Sequence, residues 1–281
     1  MVDSKMTEGL DNPLDGLRVL VTRPNEQNQH CCELVSALGG TPVSLPLIEI
    51  TPVTEDDPEF INVKQCLLNL DLYHRVIFVS PNAAQIGADW IDHFWPQLPI
   101  GIQWIGIGQQ TVNRLSALGF SAWCTLDGYD SESLLSHDSM QNVQNQRILI
   151  IRGNGGRDLM RDTFLARGAK VDYCTVYYRR CPSYSEETLR AKLLDELPSA
   201  LLITSGEGLT NLQKLVSAVS AHRFQALYNT LLVVPSERIA NIARELGFQR
   251  VTLATGPDDK SMVRAILPEM NWNSWHEKQI G

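Results

Sequence analysis

The sequence predicts an α/β protein built of parallel sheets covered by helices on both faces, and three observations predict it. Short, almost continuously apolar segments such as LRVLVT, RVIFV, RILII, ALLIT and LLVV suit strands buried on both sides rather than strands with one wet face. Between them run amphipathic stretches of helical length, several of them closed by glycine. Strand and helix alternate along nearly the whole chain, which is the pattern of βα units.

Taken in order, LRVLVT from Leu17 is a strand, Arg23-Pro24-Asn25 a turn, and Glu26 to Leu38 a helix stopped by Gly39-Gly40. Pro42 to Val53 (PVSLPLIEITPV) is extended. Its prolines at 42, 46 and 52 exclude both a helix and a central place in a sheet, so it reads as a connector. A helix from Phe60 to Leu70 precedes RVIFV, the turn Ser80-Pro81-Asn82 and a helix to Ile91. QWIGI leads through Gly108 into a helix from Gln109 to Leu118, and RILII is followed by RGNGGR and a helix to Arg167. Val171 to Pro182 (VDYCTVYYRRCP) then reads as one long strand among short ones, since Thr175 to Tyr178 are all β-branched or tyrosine. Ser183 or Ser185, with Glu186 and Glu187, starts a helix to Glu196. ALLIT turns at Ser205-Gly206 into a helix to Ser220, LLVV turns at Pro235-Ser236 into a helix to Leu246, and VTLA precedes a last helix from Asp258 to Leu267. The tail with Trp272 and Trp275 is given no place.

Two extended segments far apart in sequence suit a chain that leaves one domain, builds a second and returns. The expected organisation is residues 1–45 with 182–281 as one discontinuous domain, 54–172 as an inserted one, and 46–53 and 173–181 as the crossing strands. An internal echo points the same way: RVIFVSPN resembles ALLITSGE at an offset of 125 residues, and SALGF resembles RELGF at an offset of 128.

The 281 residues suffice for two domains of ordinary size, and 24 basic against 32 acidic residues give a net charge of −8, which argues against non-specific nucleic-acid binding. No window approaches the roughly 18 apolar residues of a membrane helix, and the first residues lack the apolar run of a signal peptide, so a cytoplasmic protein is expected. Six cysteines and six histidines show no metal-ligand spacing, and free thiols are the expectation.

Ligands of open parallel sheets bind at the carboxyl ends of strands. The turns expected there are Arg23-Pro24, Ser80-Pro81-Asn82, Gly108 to Thr111, Arg152-Gly153, Ser205-Gly206 and Ser236 to Arg238. Their small residues, hydroxyls and few arginines suit anionic groups held by backbone N–H donors. Ser80, Ser205 and Ser236 each read better, taken alone, as a simple helix N-cap; the recurrence of hydroxyl and glycine at one edge is what favours a site. GIGQQT has Thr111 where a dinucleotide fingerprint needs its last glycine, and GNGGRD lacks the ending of a phosphate loop, so no nucleotide cofactor is expected. Neither GxSxG nor HExxH occurs. Tyr177 and Tyr178 lie on the second crossing, where alternation turns one towards an interdomain cleft and the other away. A phenol, ordinarily neutral near pH 7, donates a proton without first burying a charge. Packing between domains is the alternative role for such a tyrosine.

The chain resembles the uroporphyrinogen-III synthase family through VTRP at 21–24, FVSPNA at 78–83, GIGQQT at 106–111, VYYRRCP at 176–182, ITSGEGL at 203–209 and PSERIANIARELG at 235–247. The resemblance implies two flavodoxin-like doubly wound domains joined by a two-stranded β-ladder. It implies the dehydrating cyclisation of hydroxymethylbilane to uroporphyrinogen III with the last ring inverted, without cofactor or metal. By the same resemblance Tyr177 matches the tyrosine thought to help the hydroxyl leave, and Ser80, Thr111 and Ser205 match turns that face the cleft. Asn82, Gly108, Gly153, Gly206 and Ser236 join them as substrate-binding candidates, and Arg23 and Arg152 are added because a polycarboxylate needs positive partners. The partner expected is this linear tetrapyrrole rather than nucleic acid or membrane, with a monomeric state and hand-over from hydroxymethylbilane synthase as further expectations. A two-lobed module that binds a small anion without catalysis is the rival.

Overall fold

The computed structural model describes residues 12–125, 130–219 and 221–269, so Trp272 and Trp275 lie outside the described residues. The chain divides into two compact units, one taking the residues up to Glu49 and from Arg180 onward, the other Ile50–Arg179. The first unit starts with β1 (Arg18–Val21), α1 (Asn25–Ala37) and β2 (Thr41–Ser44). The chain crosses within β3 (Glu49–Pro52) and builds α2 (Phe60–Leu68), β4 (Arg75–Phe78), α3 (Pro81–Phe94), β5 (Gln103–Gly106) and α4 (Gln109–Ala117). The second unit continues through β6 (Ala122–Trp123), α5 (Ser131–Ser136), β7 (Arg147–Gly153) and α6 (Leu159–Ala166), and the chain returns within β8 (Lys170–Arg180). The first unit is completed by α7 (Glu186–Leu193), β9 (Ala200–Leu202), α8 (Gly206–Val219), β10 (Leu231–Val234), α9 (Glu237–Glu245), β11 (Val251–Leu253) and α10 (Asp259–Arg264).

The first unit holds a five-stranded sheet in the order β2-β1-β9-β10-β11, and the second a six-stranded sheet in the order β3-β8-β7-β4-β5-β6. Every pair whose register is described runs parallel. Both sheets are covered on both faces, as their apolar strands require. In the first, Val19 and Val21 pack with Cys31 and Val35 of α1 and Met262 and Val263 of α10. Leu20, pointing the other way, packs with Leu189 of α7, Leu209 of α8 and Ile239 of α9. In the second, Val76, Phe78, Leu149 and Ile151 face α2, α3 and α4, while Ile77, Ile148 and Ile150 face α5 and α6. Small residues let α3 lie close: a Cβ added at Gly87 would come within 2.7 Å of Ile151.

The segment from Pro42 to Val53 is more than a connector: its ends form β2 and β3, each at an edge of a sheet. The physical reason is the alternation of N–H directions along a strand. Thr41 and Leu45 donate to Leu17 and Val21 of the neighbouring strand, so Pro42, one residue out of phase, points its missing N–H away from the sheet. Val53 donates to Val176 in the same manner, which turns Pro52 outward. The stretch between Gly119 and Arg147, to which no element was assigned from sequence, adds the short β6 and α5.

One irregularity matters for function. β7 and β8 pair in step from Arg147 opposite Lys170 to Arg152 opposite Thr175, but Gly153 then stands opposite Tyr177, leaving Val176 as an extra residue. Such a bulge reverses which face the following side chains take. Val171 and Tyr173 pack with α5 and α6, and Cys174 and Val176 lie on the opposite face. Tyr177, which strict alternation would send back to Tyr173's face, instead joins Val176 against α3.

Candidate active site

In a doubly wound sheet a crevice opens outside the carboxyl ends of the two strands from which the chain winds off in opposite directions. In the second unit these strands are β4 and β7; in the first they are β1 and β9. At their carboxyl ends stand Ser80, just after β4, and Gly153, the last residue of β7, in the second unit, and Arg23 and Ser205, just after β1 and β9, in the first. Four of the candidates therefore fall at the points where topology alone would place a ligand.

At the second unit's switch point the Tyr177 hydroxyl lies 3.1 Å from Ser80 Oγ. Ser80 is the N-cap of α3, its Oγ accepting from the Ala83 N–H at 3.1 Å, with Pro81 at the first helical position. Tyr177 is 4% exposed and its ring packs closely against Gly153: a Cβ there would meet the ring at 2.4 Å. The Asn154 N–H donates to the Tyr177 carbonyl at 2.9 Å, and Asn154 Oδ1 accepts from the Arg179 N–H at 2.6 Å, which fixes the strand on either side of the phenol. Tyr178 is held differently. Its hydroxyl donates to Asp57 Oδ1 at 2.6 Å, so its proton is committed to a carboxylate.

The other candidates of this unit lie beside these residues in different roles. Asn82 stands in the first turn of α3 rather than in a loop, because Pro81 already starts that helix, and Thr111 stands in the first turn of α4, which begins at Gln109 as expected. Thr111 is buried and its hydroxyl donates to the Ile107 carbonyl at 2.8 Å. Gly108 caps α4 with φ +78°, a conformation that favours glycine, and without a side-chain cap bond. Arg152 precedes the bulge and so faces α6, with its guanidinium 4.4 Å over the ring of Tyr173. It is nearly buried, donates from Nε to the Gly153 carbonyl at 3.2 Å and pairs with Asp158 at 3.5 Å. Tyr173 in turn donates to Asp158 at 3.0 Å, and burial pushes its phenol upward, followed by that bond. Arg152 and Tyr177 thus occupy opposite faces of the sheet.

In the first unit Thr22 ties the two switch-point strands together, its hydroxyl donating to the Leu202 carbonyl at 2.7 Å. Ser205 Oγ accepts from the Gly208 N–H at 3.0 Å in the opening turn of α8. Gly206 lets α9 approach: a Cβ there would stand 3.2 Å from Ile242 and 3.8 Å from Arg238 Nη1. Ser236 precedes α9 without a side-chain cap bond. Arg23 Nε lies 2.8 Å from Asp259 Oδ1, and its Nη2 donates to the Pro257 carbonyl. Asp259 and the Arg23–Asp259 pairing escaped the sequence reading, because 236 residues separate the partners and no local spacing signals them.

Among the described residues no cluster of His, Cys, Asp or Glu could hold a metal ion, and no helix is long and apolar enough to cross a membrane. The chemistry on offer is hydrogen-bond donation: hydroxyls, a phenol and helix-start amides, with arginines held by carboxylates. In this class of parallel α/β protein, groups of this kind at the carboxyl ends of the strands are able to hold anions.

The comparisons give that class its family. The profile described as Uroporphyrinogen-III synthase HemD matches residues 30–264. The uroporphyrinogen-III synthases of Salmonella typhimurium and Escherichia coli are each 33% identical to the chain, over 258 and 253 residues, covering 89% of it and all of either relative. The chain belongs to the uroporphyrinogen-III synthase family. The fold is shared with a mutant uroporphyrinogen III synthase of Thermus thermophilus, at TM-score 0.59 and 16% identity over 89% of this chain and 97% of that one. A uroporphyrinogen-III synthetase of Helicobacter pylori aligns at TM-score 0.55 and 14% identity, over 90% and 99%.

Proposed function

We propose that this chain catalyses the uroporphyrinogen-III synthase reaction, closing linear hydroxymethylbilane with loss of water and inversion of its last ring, in tetrapyrrole biosynthesis. The observation that carries the reading is the family match, which runs through both units at 33% identity to relatives covered over their whole length. Free hydroxymethylbilane closes by itself to the uninverted isomer. The catalyst's task is therefore to hold the chain folded with one ring turned over and to assist the departing hydroxyl.

Tyr177 is the proposed proton donor. Its hydroxyl is shared with another hydroxyl, Ser80, rather than with a carboxylate as in Tyr178, so its proton is the more readily passed to a leaving oxygen. Ser80, Asn82, Gly108, Gly153, Ser205, Gly206 and Ser236 are proposed to bind substrate carboxylates, chiefly through hydroxyls and helix-start N–H groups. Thr111 and Arg152, whose polar atoms are already engaged, support this by holding the loops in shape, and Arg23 supplies a cation in the first unit. In this reading both units derive from a flavodoxin-like plan. The first keeps that plan's strand order; the second, whose strands from β4 to β8 stand in the order 3-2-1-4-5, departs from it. β3 and β8 are then the two-stranded connection. The same reading makes the enzyme a cytoplasmic monomer that takes its substrate from hydroxymethylbilane synthase.

The test is to add the purified protein to freshly generated hydroxymethylbilane, oxidise the products and separate the porphyrin isomers. Isomer III in excess over a protein-free control is expected. Isomer I alone would leave an anion-binding module of this fold.

A further inference from the structure

We propose that Asp259 is a positioning residue for the reaction, acting through Arg23, with His30 as the second anchor of its carboxylate. The proposal rests on the synthase reading above. Arg23 leaves the carboxyl end of β1, one of the two switch-point strands of the first unit. Asp259 approaches it from the start of α10, after the last strand of the same sheet. The two meet because α10 and α1 share one face of the sheet, Met262 and Val263 packing with Cys31 and Val35.

The geometry is that of a held guanidinium. Arg23 Nε stands 2.8 Å from Asp259 Oδ1, at an angle that pairs the charges without a hydrogen bond, while Nη2 donates to the Pro257 carbonyl. The second carboxylate oxygen, Oδ2, is 2.7 Å from His30 Nδ1. The carboxylate is therefore hydrogen-bonded through Oδ2 and paired with the arginine's charge through Oδ1, which fixes the arginine in turn. The side chains of Arg23 and Asp259 are only 16% and 13% exposed, whereas that of His30 is 62% exposed. The backbone beneath is independently fixed by the Thr22 bond to Leu202 and by the bond from Asn28 Nδ2 to Ser44 Oγ at 2.6 Å.

Taking a carboxylate and a guanidinium this far out of water is expensive, and apolar residues would hold two helices together at lower cost. A pair of this kind at a ligand-binding edge instead pre-orders the cation, so that no side-chain entropy is lost when a substrate carboxylate arrives. Asp258, next in the chain, has a separate task. Its carboxylate caps α10 through Ser261, and those bonds hold it below the usual carboxylate range.

The experiment measures KM and kcat for isomer III formation in Asp259→Asn, Arg23→Ala and the double variant, each normalised to folded protein. Asp259→Asn raises KM by about tenfold, the factor carried by one charge-assisted contact, and leaves kcat within about twofold. Arg23→Ala raises KM at least as much, and the double variant no further than Arg23→Ala alone. Should Asp259→Asn fail to fold, His30→Ala on the exposed rim carries the same test with a KM rise of about two- to threefold. The proposal is overturned if KM stays at the wild-type value while activity falls only with the folded fraction, as a purely structural residue would behave, or if the KM effects in the double variant add. A wild-type protein that forms no isomer III overturns the synthase reading first, and is told apart from either of these outcomes before any variant is made.

Discussion

Gly153→Ala tests whether the bulge and the phenol form one device. A methyl at this position would lie 2.4 Å from Cε2, 2.6 Å from Cζ and 3.0 Å from Cδ2 of Tyr177, against the roughly 3.5–4.0 Å at which carbon atoms rest. About 1 Å of movement is needed, and Tyr177 is only 4% exposed. The backbone cannot yield freely either, since the Gly153 carbonyl accepts from Arg152 Nε and the next N–H donates to the Tyr177 carbonyl. Overpacking of this kind costs about 3 kcal/mol, and the stiffer unfolded chain of alanine returns up to about 1 kcal/mol, for a net loss of about 2 kcal/mol. With a urea slope of about 2 kcal/mol per molar, the midpoint falls by about 1 M. The second unit's transition is followed through the fluorescence of Trp90, Trp95, Trp104 and Trp123, which all belong to it. In a Tyr177→Val background, which suits a strand but lacks the ring, the same substitution is neutral or slightly stabilising. An equal loss in both backgrounds, or none in the native one, would refute the argument that Gly153 is there to seat the ring.

Tyr177→Phe lowers kcat for isomer III by about 10²-fold or more and leaves residual turnover, because a general acid contributes about 10²- to 10⁴-fold and the folding of the substrate remains; native kinetics would remove Tyr177 from the mechanism. Tyr178→Phe keeps turnover near native and costs about 1 kcal/mol of stability through the lost bond to Asp57, and a large kcat loss there would exchange the roles of the two tyrosines. Ser80→Ala costs about 1 kcal/mol as a lost cap, and it also lowers kcat, which a cap alone would not do. Burial, with Asp259 beside it, pushes the Cys31 thiol from 9.0 up to about 12. Because the folded value lies above the unfolded one, this contribution to stability is complete below about pH 9 and is lost as pH rises towards 12, at up to about 1.4 kcal/mol per pH unit. Cys31→Ala should therefore flatten the alkaline limb of urea midpoints measured between pH 9 and 11, and an unaltered limb would contradict the burial argument.

The elements were legible where one segment carries its own reason. LLVV, RVIF and the run from Thr175 to Tyr178 are strands because nothing in them competes, and Ser80-Pro81 starts a helix by capping chemistry within four residues. What stayed hidden depends on pairing. Pro42 and Pro52 excluded a central place in a sheet and made the segment read as a connector, and only the phase of the neighbouring N–H groups shows that its ends join the sheets as edge strands. The bulge at Val176 leaves no compositional trace, since valine is an ordinary strand residue. Yet it decides that Tyr177 faces α3 while Arg152, close by on the neighbouring strand, faces α6. Arg152 and Tyr177 were both candidates by residue type at a strand end; the register puts them on opposite faces.

This separation bears on how the fold serves the reaction. Candidates gathered by residue type, hydroxyl or arginine at a strand end, form a list, and the list becomes a site only through topology. The strand order places Ser80 and Gly153 on neighbouring strands at the point where the winding reverses, and the bulge delivers a side chain of the next strand onto that point. Without the extra residue the Tyr177 phenol would lie among α5 and α6 with Tyr173, away from the N-cap of α3. The corresponding point of the first unit has no long neighbouring strand to lend it a side chain, and there the cation from β1 is steadied instead by a carboxylate from the start of α10. The two switch points are thus furnished differently, one with a phenol seated beside a helix N-cap and the other with a guanidinium paired to a carboxylate.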